Sequence, residues 1–171
     1  INGNSAADFN RTYAIDGRWG IGDYTVFRSW ISQTETPGVS GDDMAGGLSW
    51  TYADEDWNLN AGYSQVGEGF NPEVGFLARR NFRKYEAGWR YRFRPDNWGK
   101  LQELRPHMNY RGYWDFDGNQ QTGYLHIDNH WEFNSGMEIH TGTNLTQEGV
   151  FEPFEIVKGV TVPTGRSEEH T

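Results

Sequence analysis

His126, Asp128 and His130 stand at alternate positions of the run HIDNH. Side chains of an extended strand alternate sides, so the three share a face. Two imidazoles and a carboxylate at that spacing can be presented to one divalent cation, with His140 or Glu138 added from a following strand. The plainer reading is a polar wall facing water, and no metal or other cofactor is assigned. A hydrolase working through this His/Asp face is a further alternative. No serine sits in a nucleophile's setting, so no catalytic residue is assigned and the chain is not read as an enzyme.

A second chemistry-bearing group is basic. Arg79, Arg80, Arg83, Lys84, Arg90, Arg92 and Arg94 are seven of the 15 Lys and Arg residues and fall within 16 positions. Such a cluster either attracts anions or pairs with acidic neighbours. From Tyr85 the run alternates without a break. Tyr85, Ala87, Trp89, Tyr91 and Phe93 take one face; Glu86, Gly88, Arg90, Arg92 and Arg94 take the other. A helix would scatter these residues around its axis.

The same alternation marks seven more strands. Phe9 to Trp19 puts Tyr13, Ile15 and Trp19 against Thr12, Asp16 and Arg18. Tyr24 to Gln33 is less clear, and Phe27 and Ile31 are taken as its apolar face. Met44 to Tyr52 and Trp57 to Val66 follow. The sixth strand sets Met108, Tyr110, Trp114 and Phe116 against His107, Asn109, Arg111 and Asp115. The seventh sets Leu125, Ile127, Trp131 and Phe133 against His126, Asp128, His130 and Glu132. Met137, Ile139 and Leu145 belong to the eighth, opposite Glu138, His140 and Asn144. Thr146 to Gly165 reads as a long Gly/Pro-containing segment. Sequential strands of a meander are neighbours. A basic wall of Arg90, Arg92, Arg94 and Arg111, with Arg105, is therefore expected beside an acidic wall of Asp128, Glu132 and Glu138. Connections are short or medium after the first, third, fifth and seventh strands and long after the second, fourth and eighth, and only the sixth breaks the pattern. Outer-membrane barrels have that asymmetry, with short turns at one end and longer loops at the other.

Composition agrees with sheets. Aromatic residues make up 16%, and 22 of 171 residues are Gly. The absence of cysteine excludes disulfides and thiolate metal sites. A net charge of −9 argues against nucleic acid as a partner. No apolar run is long enough for a membrane helix, which leaves a membrane barrel open. Ile1 begins in what reads as a loop. Arg166 to Thr171 read RSEEHT, the translation of a common sequencing adapter, and are expected to lie outside the fold. Residues 1–165 are then read as a fragment of one barrel domain.

The run Phe70-Asn71-Pro72-Glu73-Val74-Gly75-Phe76-Leu77-Ala78-Arg79 resembles a signature of an uncharacterised bacterial domain family. Tyr13 to Asp16, Thr36 to Gly38, Gly41 to Asp43, Pro153 to Ile156 and Val162 to Gly165 resemble other segments of it. The resemblance implies a C-terminal outer-membrane β-barrel that often follows a carbohydrate-binding module like those of family nine. It carries no assigned reaction. Within the motif, Asn71, Pro72 and Gly75 read as loop geometry rather than contacts, since Pro fixes φ and Gly permits positive φ.

The resulting expectation is an all-β, antiparallel up-and-down meander, a partial outer-membrane barrel of about eight strands. Its partners are membrane lipid or lipopolysaccharide, and as cargo a polysaccharide or another small solute. It serves as a pore or scaffold. The alternative is a soluble barrel or sandwich that binds a ligand, because an apolar face can point at lipid or at a core.

Overall fold

The computed structural model describes residues 9–73 and 75–171; Ile1 and Val74 lie outside the described residues. The strands are β1 Arg11–Ile21, β2 Thr25–Glu35, β3 Met44–Ala53, β4 Trp57–Val66, β5 Phe82–Tyr91, β6 Leu101–Trp114, β7 Gln120–Phe133, β8 Glu138–Val150, β9 Phe154–Val157, β10 Val160–Val162 and β11 Gly165–His170. One antiparallel sheet runs in the order β1-β2-β3-β4-β5-β6-β7-β8-β11, and β9 and β10 form a separate hairpin. The fold is thus an all-β antiparallel meander. Among the described residues β1 and β11 do not pair, so the sheet has two open edges.

Register carries the period-two pattern across the whole sheet. Ile15 pairs with Ile31, Leu48 with Tyr63, Leu59 with Trp89, Met108 with Ile127 and Trp131 with Ile139. These partners make one apolar face. Asn58 pairs with Arg90, His107 with Asp128 and His130 with His140 on the polar face. Phe27 and Ile31 do lie on the apolar side, as expected. On that side aromatics gather in two rows. Trp57 stacks on Tyr91 near the short-turn end, at 4.5 Å between centroids. Tyr63, Tyr85 and Trp114 meet near the loop end, at 5.1 and 5.0 Å. Tyr85 and Tyr91 are six residues apart, about 20 Å along the strand.

Three departures from the sequence pattern have physical causes. The sixth strand begins at Leu101, well before His107. Pro106 obscures its start, and the ladder to β5 breaks there, between Arg90↔His107 and the Phe93↔Leu104 bridge. Pro has no N–H to offer such a ladder. The segment after Leu145 is not featureless: β8 continues to Val150, and β9–β10 folds back as a hairpin. Finally, Gly165–His170 pairs with β8 as β11. An edge strand offers unpaired N–H and C=O groups to any extended segment. This one sets Arg166, Glu168 and His170 along the side of Leu125 and Leu145, against the chemistry of the other strands.

Little of the sheet is covered. The buried apolar cluster comprises Ala45, Val66, Phe70 and Phe82, with Leu77 and Tyr113 packed against it. It lies at the loop end and on the polar side of the sheet, where 67–81 turns inward. Gly67 makes that entry possible, since a Cβ there would collide with the Asp42 carbonyl oxygen. Elsewhere Ile15, Trp19, Leu48, Trp57, Tyr85 and Ile127 remain exposed.

Two turns are locked by aspartates. Asp54 Oδ1 accepts the N–H groups of Asp56 and Trp57 at 2.9 and 2.6 Å, and Tyr52 donates its hydroxyl to Oδ2 at 2.6 Å. Asp115 accepts the backbone and side-chain N–H groups of Asn119 at 2.8 and 2.9 Å. The Tyr52 hydroxyl and then the Trp57 N–H hold the Asp54 carboxyl below its ordinary pKa, and the Asn119 amide does the same for Asp115. A depressed folded-state pKa contributes stability above the unfolded value of about 3.9, lost as pH falls through the folded value. The unfolding midpoint should therefore drop with acidification below that range. The double variant Asp54→Asn, Asp115→Asn should show a flatter profile over the same pH series.

Candidate functional site

The polar face is the inner one. A cleft of about 340 Å³ on it is lined by Ser49 of β3, Gly62 of β4, Glu86 of β5, Arg111 of β6 and Tyr124 of β7. In a flat sheet β3 and β7 would stand about 19 Å apart, at about 4.8 Å per strand. One cleft reaches both because the sheet curls around its polar side. A second cleft of about 370 Å³ adjoins it, lined by Asn58, Asn60, Arg90, Arg105, His107, Asn109 and His130. Gly88 lies between them. A Cβ at Gly88 would stand 2.7 Å from Asn60 Nδ2 and 2.8 Å from Asn109 Oδ1, so glycine lets two amides meet across β5.

The expected basic and acidic walls do lie on this face, and they touch. Arg105 reaches Glu132 at 3.5 Å and Glu138 at 4.0 Å. The sequence reading missed the group that organises the arginines. Glu103, only 7% exposed, sits inside the basic wall. It accepts a hydrogen bond from Arg94 Nε at 2.8 Å. Arg92 Nε and Arg105 Nε approach it at 3.4 and 3.3 Å without hydrogen-bonding alignment, so charge rather than a directed bond holds them. Alternation alone could have placed Glu103 here, since it precedes Arg105 and His107 at even steps. Arg90 and Arg111 make no ion pair among the described residues. The Arg111 guanidinium lies 5.8 Å from the Tyr124 ring centre. Lys84 pairs with Glu86 at 2.7 Å.

Beyond the arginines lies the histidine cluster. Asp128 Oδ2 has His130 Nε2 at 3.1 Å, His126 Nε2 at 3.8 Å and His107 Nε2 at 4.0 Å. The His140 ring stacks on His130 at 3.8 Å, and its Nε2 pairs with Glu138 at 3.2 Å. The structure thus joins His126, Asp128 and His130 to His107 from β6 and His140 from β8. Two overlapping trios, His107–His126–Asp128 and Asp128–His130–His140, have donor atoms close enough for one ion each. His107 escaped the sequence reading of this group because only strand register puts it opposite Asp128.

The described residues of the motif Phe70 to Arg79 lie at the loop end. Phe70 fills the apolar cluster over the inner face. Asn71 makes contacts rather than merely shaping the loop. Its N–H donates to Thr34 Oγ1 at 2.9 Å, its carbonyl accepts Asn10 Nδ2 at 2.7 Å, and Arg80 donates to its Oδ1 at 2.7 Å. It therefore ties the loop to β2 and to Asn10 just before β1, and this corrects the sequence reading. Gly75 stays within loop geometry, since a Cβ there would meet nothing within 4 Å. Its N–H donates to the Pro72 carbonyl at 3.1 Å. Glu73 accepts from the Asn71 amide at 3.4 Å, Phe76 is 94% exposed, and Arg79 lies over the Tyr113 ring at 4.7 Å.

No protein-family model, no curated protein and no solved structure matches the chain.

Removing the Glu103 charge leaves Arg92, Arg94 and Arg105 crowded together without their common partner. The arginines are 25–49% exposed, so solvent screens part of the loss. Glu103→Gln should cost about 1–3 kcal/mol, less than a fully buried pair, read as a lower midpoint of reversible unfolding. Glu55→Gln, at a side chain 82% exposed, should leave the midpoint unchanged.

Proposed function

We propose that the chain forms part of the wall of an outer-membrane β-barrel that encloses an aqueous, charge-lined passage. One observation carries this reading: the polar face is the concave one, and the apolar face is convex and uncovered. A soluble ligand-binding barrel has the opposite polarity, with its apolar side chains packed inside. Ile15, Trp19, Leu48 and Ile127 on the outer side gain burial from hydrocarbon, whereas Arg90 there would cost about 2–4 kcal/mol at mid-membrane. The rows around Trp57–Tyr91 and Tyr63–Tyr85 support the same reading, since aromatic girdles flank the apolar band of such barrels.

The passage is narrowed at both ends, by Phe70 and its loop at one and by the Glu103 arginines at the other. Between them stand Asn58, Asn60 and Asn109, amides suited to hydroxyl-rich solutes. The resemblance of Phe70 to Arg79 to a domain that accompanies carbohydrate-binding modules adds polysaccharide-derived solutes as cargo.

The test is where the tryptophans go. Full chain folded with phosphatidylcholine–phosphatidylglycerol vesicles should have its tryptophan emission quenched by brominated acyl chains. A chain that stays a monomer in buffer, melts cooperatively there and ignores vesicles would be a soluble barrel instead.

Charge selectivity follows from Arg90 and Arg111, two arginines of this face that make no ion pair among the described residues. In planar bilayers Arg90→Glu with Arg111→Glu should shift selectivity toward cations. Conductance with unaltered selectivity would take the passage away from this face, and bilayer insertion without conductance would make the wall a scaffold.

A further inference from the structure

We infer that His107, His126 and Asp128 form a binding site for a divalent first-row transition metal on the inner face. The observation is a convergence of lone pairs with no hydrogen between them. His107 Nδ1 lies 3.1 Å from the Arg105 carbonyl oxygen. A carbonyl only accepts, so Nδ1 carries the hydrogen and, in the neutral ring, Nε2 is bare. His126 Nδ1 lies 2.8 Å from Asn144 Oδ1, which also accepts the Tyr124 hydroxyl at 2.8 Å. That partner again puts the hydrogen on Nδ1 and leaves Nε2 bare. The two bare nitrogens face Asp128 Oδ2 at 4.0 and 3.8 Å. These separations exceed a hydrogen bond.

They suit a metal better. A tetrahedral ion with bonds of about 2.0–2.1 Å sets its ligand atoms about 3.3–3.4 Å apart. Small rotations of the three side chains close the difference. Both oxygens of Asp128 are steadied from outside the set: His130 Nε2 donates to Oδ2 at 3.1 Å, and the Thr141 N–H donates to Oδ1 at 3.1 Å. Metal ligands are oriented by outer hydrogen bonds of this kind. The side chains of His107, His126 and Asp128 are 16, 25 and 11% exposed, so water competes weakly for the site. Two imidazoles and a carboxylate select zinc and its neighbours over calcium or magnesium. Three protein ligands leave a coordination position for water or a solute, and His107 itself lines the cleft beside Asn109.

The full chain in mild detergent, stripped of metal by a chelator, is titrated with Zn²⁺ against a chromophoric zinc chelator. One equivalent should bind. Asp128→Asn and His107→Gln should each weaken it by about 100-fold or more, and His130→Gln, which loses only an orienting bond, by about ten-fold. His170→Gln, on β11 and outside the cluster, should leave affinity unchanged. As substitutions within a sheet can cost the fold, diethylpyrocarbonate modification of the unaltered chain gives a second reading: Zn²⁺ should shield His107 and His126 while His170 reacts at its former rate. No saturable equivalent of zinc, equal affinity in Asp128→Asn, or equal reactivity of His107 and His126 with and without zinc overturns the site.

Discussion

Between its two open edges each strand of this sheet hydrogen-bonds to the strands beside it, and among the described residues no second layer lies across either face. Everything else depends on that single-layer arrangement. A side chain can be buried only by the curl of the sheet itself, by an inturned loop, or by something outside the chain. The curl partly shelters the polar side, and the loop Phe70 enters covers one end of it. The apolar side receives neither. The two faces therefore need different solvents, and the direction of curl decides which solvent is inside.

The inner surface follows from charges that cannot all be satisfied at once. The arginines near the short turns share Glu103, whose carboxylate is too small to bond three guanidinium groups with good alignment. Arg105 consequently reaches on to Glu132 and Glu138, and the two walls are stitched together at that level. Farther from the turns the pairing thins. Arg90 and Arg111 stay available there, and the amides of Asn60 and Asn109 close over Gly88.

Face assignment was legible in the sequence because the side-chain period of a strand is two and polarity alternates with it. Even in the ambiguous run from Tyr24, Phe27 and Ile31 share the apolar side while Arg28, at the other parity, takes the polar one. Partnerships across strands were less legible. Placing His107 opposite Asp128 requires the register through Asp115–Asn119 and a bulge beside Trp114, and a slip of one residue reverses the faces. Glu103 was hidden by Pro106, which breaks the look of a strand while the chain continues through it. Phe70 and Asn71 were hidden differently. Nothing local says that a loop with Pro and Gly turns inward to dock on Ala45 and Thr34.

The order of the sheet has a consequence for how such a chain can change length in evolution. From β1 to β8 every strand pairs with its sequence neighbours, and the excursion through β9 and β10 returns as β11 antiparallel to β8. A detour of two strands thus leaves parity intact. Gain or loss of one whole hairpin preserves which end bears the long loops, whereas a single added strand would move them to the other end for everything downstream. The width of a sheet built this way grows without changing its ends only in steps of a hairpin, so duplication of a β-hairpin is the smallest mutation that widens it while keeping long loops at one end and short turns at the other.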